Sequence, residues 1–99
     1  MQFIITAYDG ENMLDKRMAV RPQHLEGMAA LGEHVVCAGG LTDEEGKLKG
    51  SVLVVDFEDR SGVDEYISNE PYVVNHVWEK ITVEPINVVI MNGKKYLQK

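Results

Sequence analysis

The chain has 99 residues, 44% of them hydrophobic and 26% charged. That leaves room for one core and not two, with a composition typical of a globular rather than a disordered chain. Ten Lys and Arg face 16 Asp and Glu, a net charge of −6. This argues against nucleic acid or an anionic membrane as partner, because both need a positive footprint. A small enzyme and a small binding module remain.

A domain this short buries only about 60–65% of its unfolded surface, so it gains from a partner chain. Cys37 is the only cysteine. It excludes an intrachain disulfide and fits a reducing cytoplasm. The segment Met1–Asp9 lacks the basic start of a signal peptide, and no uncharged run approaches the ~20 apolar residues of a membrane span. We expect a cytoplasmic protein.

Residues 2–8 (QFIITAY) carry apolar groups on both faces and read as a buried strand, ended by the turn pair Asp9-Gly10. After a polar stretch, Arg21-Pro22 predicts a helix start, since proline suits the first helical position. Leu25, Met28, Ala29 and Leu31 follow at helical spacing, and Gly32 is a stop. Residues 35–38 form a second strand closed by Gly39-Gly40. Residues 51–57 form a third, joined to the second by a long loop over 41–49. Ser61 and Asp64 suggest a capping box opening a helix over 62–69, and Pro71 a fresh start or a turn. Residues 79–86 alternate as a fourth strand. The order is βαββαβ, a ferredoxin-like α+β fold with helices on one face of an antiparallel sheet. The other face, with Phe3, Ile5, Val52 and Val54 or their alternates, needs cover, and a second subunit supplies it most simply. Residues 1–99 form one domain, with 91–99 a C-terminal extension. Within 88–97, Asn92-Gly93 is a strong type I′ hairpin signal, against the plainer reading of a frayed terminus.

No phosphate-binding glycine loop, nucleophile elbow or zinc-binding helix motif is present, and residues 43–46 lack calcium-loop spacing. His24, His34 and His76 have no metal-ligand spacing, so no metal or other cofactor is expected. Cys37 reads as a buried small hydrophobe, and Trp78 and the five methionines as core or interface. Ser51 has no adjacent base and reads as a ligand hydrogen bond or a strand edge. His24 is the histidine of interest. In a first helical turn the dipole disfavours imidazolium, while a nearby carboxylate favours it, a balance suited to proton transfer near neutral pH. Asp9, at the end of the first strand, is placed to face it, unless it serves only the turn with Gly10.

Residues 14–25 (LDKRMAVRPQHL), 38–41 (AGGL), Gly50-Ser51, Glu70-Pro71-Tyr72-Val73 and Val83-x-Pro85 resemble the YciI-like family, the YCII-related domain proteins, over about residues 2–90. The resemblance implies a homodimer of the dimeric α/β-barrel type, with a cleft holding a histidine–aspartate pair. It also implies a link to HCl elimination from chlorinated hydroxyquinol-type compounds. The pair's histidine falls on His24, Asp9 matches a common acidic position, and Arg21, Ser51 and Tyr72 match recurring cleft positions. Two departures stand out. Glu70 replaces the family's Asp before Pro-Tyr, a poorer helix cap by one methylene and the other candidate partner for His24. The tail beyond Ile90 exceeds the family's usual end.

The expected function is therefore a cofactor-independent lyase- or isomerase-like enzyme acting on a small cyclic or aromatic oxygenated compound. His24 moves a proton, and Asp9 or Glu70 orients the imidazole. Arg21 attracts an oxyanion, and Ser51 and Tyr72 donate hydrogen bonds. The alternative is a non-enzymatic homodimer that binds a small ligand in the same cleft.

Overall fold

The computed structural model describes residues 1–96, so Leu97, expected at the end of the hairpin, lies outside the described residues. The elements are β1 (Gln2–Asp9), α1 (Leu14–Leu31), a 3₁₀ turn over Gly32–His34, β2 (Val35–Thr42), β3 (Leu48–Asp56), α2 (Arg60–Asn69), α3 (Pro71–Val74), β4 (Trp78–Ile86), and the short strands β5 (Ile90–Met91) and β6 (Lys94–Lys95). The sheet order β2-β3-β1-β4 is antiparallel throughout. This is the ferredoxin-like arrangement expected from the βαββαβ order.

Strand alternation divides the sheet into two faces. Phe3, Ile5 and Ala7 of β1 and Leu53 and Val55 of β3 are buried with Val20, Val63, Tyr72, Val77 and Trp78 in one cluster under the helices. Each large side chain fully buried there contributes about 1.5–3 kcal/mol. Ile4 and Thr6 pair with Val54 and Val52 on the opposite face, which no helix covers and where Val54 is buried and Ile4, Thr6 and Val52 are half-buried. Phe3 and Ile5 therefore belong to the helix side, and Ile4 is the alternate that joins Val52 and Val54. Gly50 lets β3 approach β1 closely, since a Cβ there would lie 2.4 Å from the Ala7 carbonyl oxygen.

The largest correction concerns α1. It begins at Leu14, so Pro22 lies inside the helix and not at its start. Pro22 cannot donate to the Met18 carbonyl, a cost of about 3 kcal/mol in a helix interior. The early start went unread because the buried stripe is Arg17, Val20 and His24, a stripe mostly polar in composition. Met13 at the N-cap also provides no side-chain cap.

Other boundaries shift locally. Gly39-Gly40 lies within β2 rather than closing it. The connection to β3 shrinks to residues 43–47, where the Asp43 carboxylate accepts from the N–H groups of Glu45 and Lys47 at 2.8 and 3.0 Å. Asp59 caps α2 by accepting from the Ser61 N–H at 2.9 Å. Ser61 is thus inside the helix, and Asp64 pairs with Arg60 at 3.1 Å instead of completing a box. Cys37 is exposed rather than buried, because alternation puts it opposite Val54 on the uncovered face. Trp78 is in the core, whereas Met1 and Met18 are exposed. The terminal hairpin forms, with Asn92 and Gly93 at φ 53° and 73° and β5 paired to β6.

Candidate active site

The inward row of β1 runs Phe3, Ile5, Ala7 and then Asp9, where the register with β4 shifts and Asp9 pairs with Trp78. Ser51, opposite Ala7, opens the inward row of β3. Both polar side chains meet Arg17 of α1. Arg17 Nη1 donates to Asp9 Oδ1 and Oδ2 at 2.9 and 3.1 Å, and Nη2 donates to Ser51 Oγ at 2.8 Å. The guanidinium carbon stands 4.6 Å over the Tyr72 ring. Burial pushes the Asp9 carboxyl above its ordinary range, and the neighbouring guanidinium offsets this only in part.

Seven residues along α1, His24 stacks on Tyr72 with ring centroids 4.2 Å apart and meets Trp78 edge-on. Its Nδ1 lies 2.6 Å from Glu70 Oε1. Glu70 ends α2 and caps α3. Its Oε1 also accepts from the Tyr72 backbone N–H at 3.2 Å, and its Oε2 accepts from the Tyr66 hydroxyl. His24 and Glu70 side chains are 7% and 1% exposed, so the pair is shielded from water. An ionised carboxylate only accepts. Against an ionised Glu70 the contact needs a proton on Nδ1, and Nε2 is the ring nitrogen that Glu70 does not engage.

His24, Arg17, Arg21, Ser51, Tyr72 and Gly40 line part of a cavity of about 180 Å³. Arg21 is exposed at its edge and has no acidic partner among the described residues. Ser51 is engaged by Arg17. Tyr72 is fully buried, its hydroxyl has no hydrogen-bond partner among the described residues, and burial raises its pKa despite the opposing pull of Arg17 and Arg21. A larger cleft of about 370 Å³, walled by Gly27, Leu31, Phe57 and Tyr66, abuts Glu70 from the other side. Its wall includes the carboxylates of Glu65 and Glu70 but no histidine, lysine or arginine.

The structure thus brings His24, Glu70, Tyr72, Ser51 and Arg21 together, and it corrects one expected pairing. Asp9 does not face His24. Because α1 starts at Leu14, Arg17 rather than His24 reaches the end of β1 and takes the Asp9 carboxylate. His24 sits in mid-helix, so the helix-start dipole argument does not apply to it. Glu70 is also no failed cap, since its longer side chain accepts from the Tyr72 N–H and reaches His24 as well. Arg17 and Tyr66 were not singled out in the sequence. Arg17 stands at i−7 from His24, on the same helix face once the helix is extended back to Leu14. Tyr66 stands at i−4 from Glu70. Among the described residues, no three His, Cys, Asp or Glu side chains cluster as metal ligands, and no helix is long and apolar enough to cross a membrane.

The sheet order and the helices on one face define a ferredoxin-like α+β protein, which holds a buried histidine–carboxylate pair. The chain belongs to the YCII-related domain family, whose model matches residues 1–87. An uncharacterized protein of Haemophilus influenzae is 32% identical over 97 residues, covering 90% of this chain and 99% of the relative. Protein YciI of Escherichia coli is 29% identical with the same coverage. Among solved structures, the 5-chloro-2-hydroxyhydroquinone dehydrochlorinase TftG of Burkholderia phenoliruptrix AC1100, in complex with 2,5-dihydroxybenzoquinone, superposes with a TM-score of 0.82 at 21% identity, covering 88% of this chain and 94% of that one. An antibiotic biosynthesis monooxygenase fold from Bacteroides thetaiotaomicron matches with a TM-score of 0.61 at 13% identity, covering 97% of this chain and 95% of that one.

Proposed function

We propose that this protein is a cofactor-independent enzyme that moves a proton on a small cyclic or aromatic oxygenated compound, by elimination or isomerisation. The observation that carries this reading is the 2.6 Å contact between His24 Nδ1 and Glu70 Oε1. A carboxylate there holds the ring in one tautomer and stabilises the imidazolium that forms when Nε2 accepts a proton. Arg21 at the cavity edge faces the oxyanion that develops on the substrate. Tyr72 and Ser51 shape the wall beside it. Asp9 neutralises Arg17 and so keeps that buried cation tolerable. The fold shared with a dehydrochlorinase supports a hydroxylated ring as the substrate class. In such an elimination the base takes a proton and the C–Cl electron pair leaves with chloride. The ring becomes a quinone, and no external oxidant is consumed.

The working unit in this proposal is a cytoplasmic homodimer, formed through the sheet face of Ile4 and Val52, which no helix covers. Residues 91–99 extend the domain beyond the family match. The test is chloride release from 5-chloro-2-hydroxyhydroquinone by wild type and His24→Gln, beside equilibrium binding of 2,5-dihydroxybenzoquinone. Turnover lost in His24→Gln supports the enzyme. Tight binding with no turnover by wild type, across a panel of hydroxylated chloroarenes, supports the non-enzymatic binding dimer instead.

A further inference from the structure

Glu70 presents two oxygens in a setting almost closed to water, and their donors come from three different elements. Oε1 receives His24 of α1 and the backbone of α3, at 2.6 and 3.2 Å. Oε2 receives one side-chain donor, the Tyr66 hydroxyl from α2. A glutamate side chain has three rotatable bonds, so two donors on one oxygen do not fix the carboxylate plane. A third donor on the second oxygen does. We infer that Tyr66 is a positioning residue of this site, which fixes the Glu70 carboxylate in the orientation that His24 Nδ1 requires.

Three further observations agree. Tyr66 lies one helical turn before Glu70, so the contact is built into α2 and its end. The extra methylene of glutamate lets one carboxylate cap α3 and still reach the Tyr66 hydroxyl. Burial first, and then the hydrogen bond and negative charge of Glu70, push the Tyr66 phenol far above its usual value of 10.0, so it remains a proton donor wherever the histidine works. Tyr66 also walls the larger cleft, which therefore ends on the carboxylate that orients His24.

This inference rests on the His24–Glu70 reading above, and the experiment separates the two. Protein carrying ¹⁵N-labelled histidine is examined by proton NMR for the shielded Nδ1 proton of His24, in wild type, Glu70→Gln and Tyr66→Phe. The expected result is a downfield Nδ1 resonance in wild type that Glu70→Gln abolishes. In Tyr66→Phe it shifts, and its exchange with water quickens about tenfold, the effect of losing one hydrogen bond of ordinary net strength. A resonance that Glu70→Gln abolishes and Tyr66→Phe leaves unmoved, with unchanged exchange, overturns the role of Tyr66 and spares the pair. A wild-type proton on Nε2 instead overturns the pair and the inference with it. If Tyr66→Phe does not fold, a ring-fluorinated tyrosine at position 66 keeps the shape and strengthens the donor. A shifted Nδ1 line then supports the inference, and an unshifted one overturns it.

Discussion

Arg17 and Asp9 form a buried ion pair in which one guanidinium nitrogen reaches both carboxylate oxygens, at 2.9 and 3.1 Å, with both side chains 5% exposed or less. The pair joins the end of β1 to the second turn of α1 and supports the wall on which Tyr72 and His24 stack. Its partners come from elements that each look ordinary alone.

Removing one member leaves the other charge buried. Asp9→Ala is expected to lower stability by about 3–5 kcal/mol, read as a fall in the urea midpoint. The double variant Asp9→Leu/Arg17→Met should recover most of that loss, because it removes both desolvation penalties together. A double variant no more stable than Asp9→Ala would show that the loss comes from packing rather than charge.

Glu70→Asp tests the reach of the longer side chain. The expectation from capping preference alone is a gain. With Glu70 buried and bound to His24, Tyr66 and Tyr72, the shorter side chain cannot keep all three donors. A loss of about 1–3 kcal/mol is expected instead. A higher melting temperature for Glu70→Asp would contradict the geometry.

Tyr66 makes stability depend on pH at the alkaline end. Below pH 10 the phenol keeps its proton whether folded or unfolded. Above 10.0 the unfolded chain releases it, while the folded chain, with the pKa raised by burial and Glu70, does not. The native state then binds more protons, so stability falls as pH rises, by about 1.4 kcal/mol per pH unit from this group. Urea unfolding above pH 10 should show a shallower decline in Tyr66→Phe than in wild type. Equal slopes would refute the raised phenol.

His24→Gln keeps a donor for Glu70 and removes the basic Nε2. Turnover of the true substrate is expected to drop by about 10²–10⁴-fold while the circular dichroism spectrum and melt stay close to wild type. Retained turnover would rule out proton transfer by this residue.

The proposed dimer face has its own test. Val52→Asp puts a charge beside Ile4 and Val54 on the uncovered sheet face, away from the helix-side core. Light scattering should report a dimer for wild type and a mass near 11.1 kDa for the variant. A wild-type mass already near that value would refute the dimer.

Local chemistry made much of the fold legible. β1 and β3 are dense in Ile and Val, which fit a pleated strand. Asn92-Gly93 adopts the positive φ values that such a turn requires. The βαββαβ order followed from these signals. His24 stood out by its surroundings in the sequence, whereas Arg21, Ser51, Glu70 and Tyr72 entered as cleft positions through the family resemblance. Periodicity failed at α1, because a helix that buries Arg17 and His24 does not look amphipathic. Partner choice was also illegible. Asp9 was the first candidate for His24 and Glu70 the second, since each is a carboxylate at an element's end. Tertiary structure decided between them. Starting α1 at Leu14 sets Arg17 over Asp9, and the α2–α3 junction delivers Glu70 to His24. Residues 46 positions apart meet only when the helices pack on the sheet, so burial and reach, not spacing along the chain, determine which carboxylate meets the histidine.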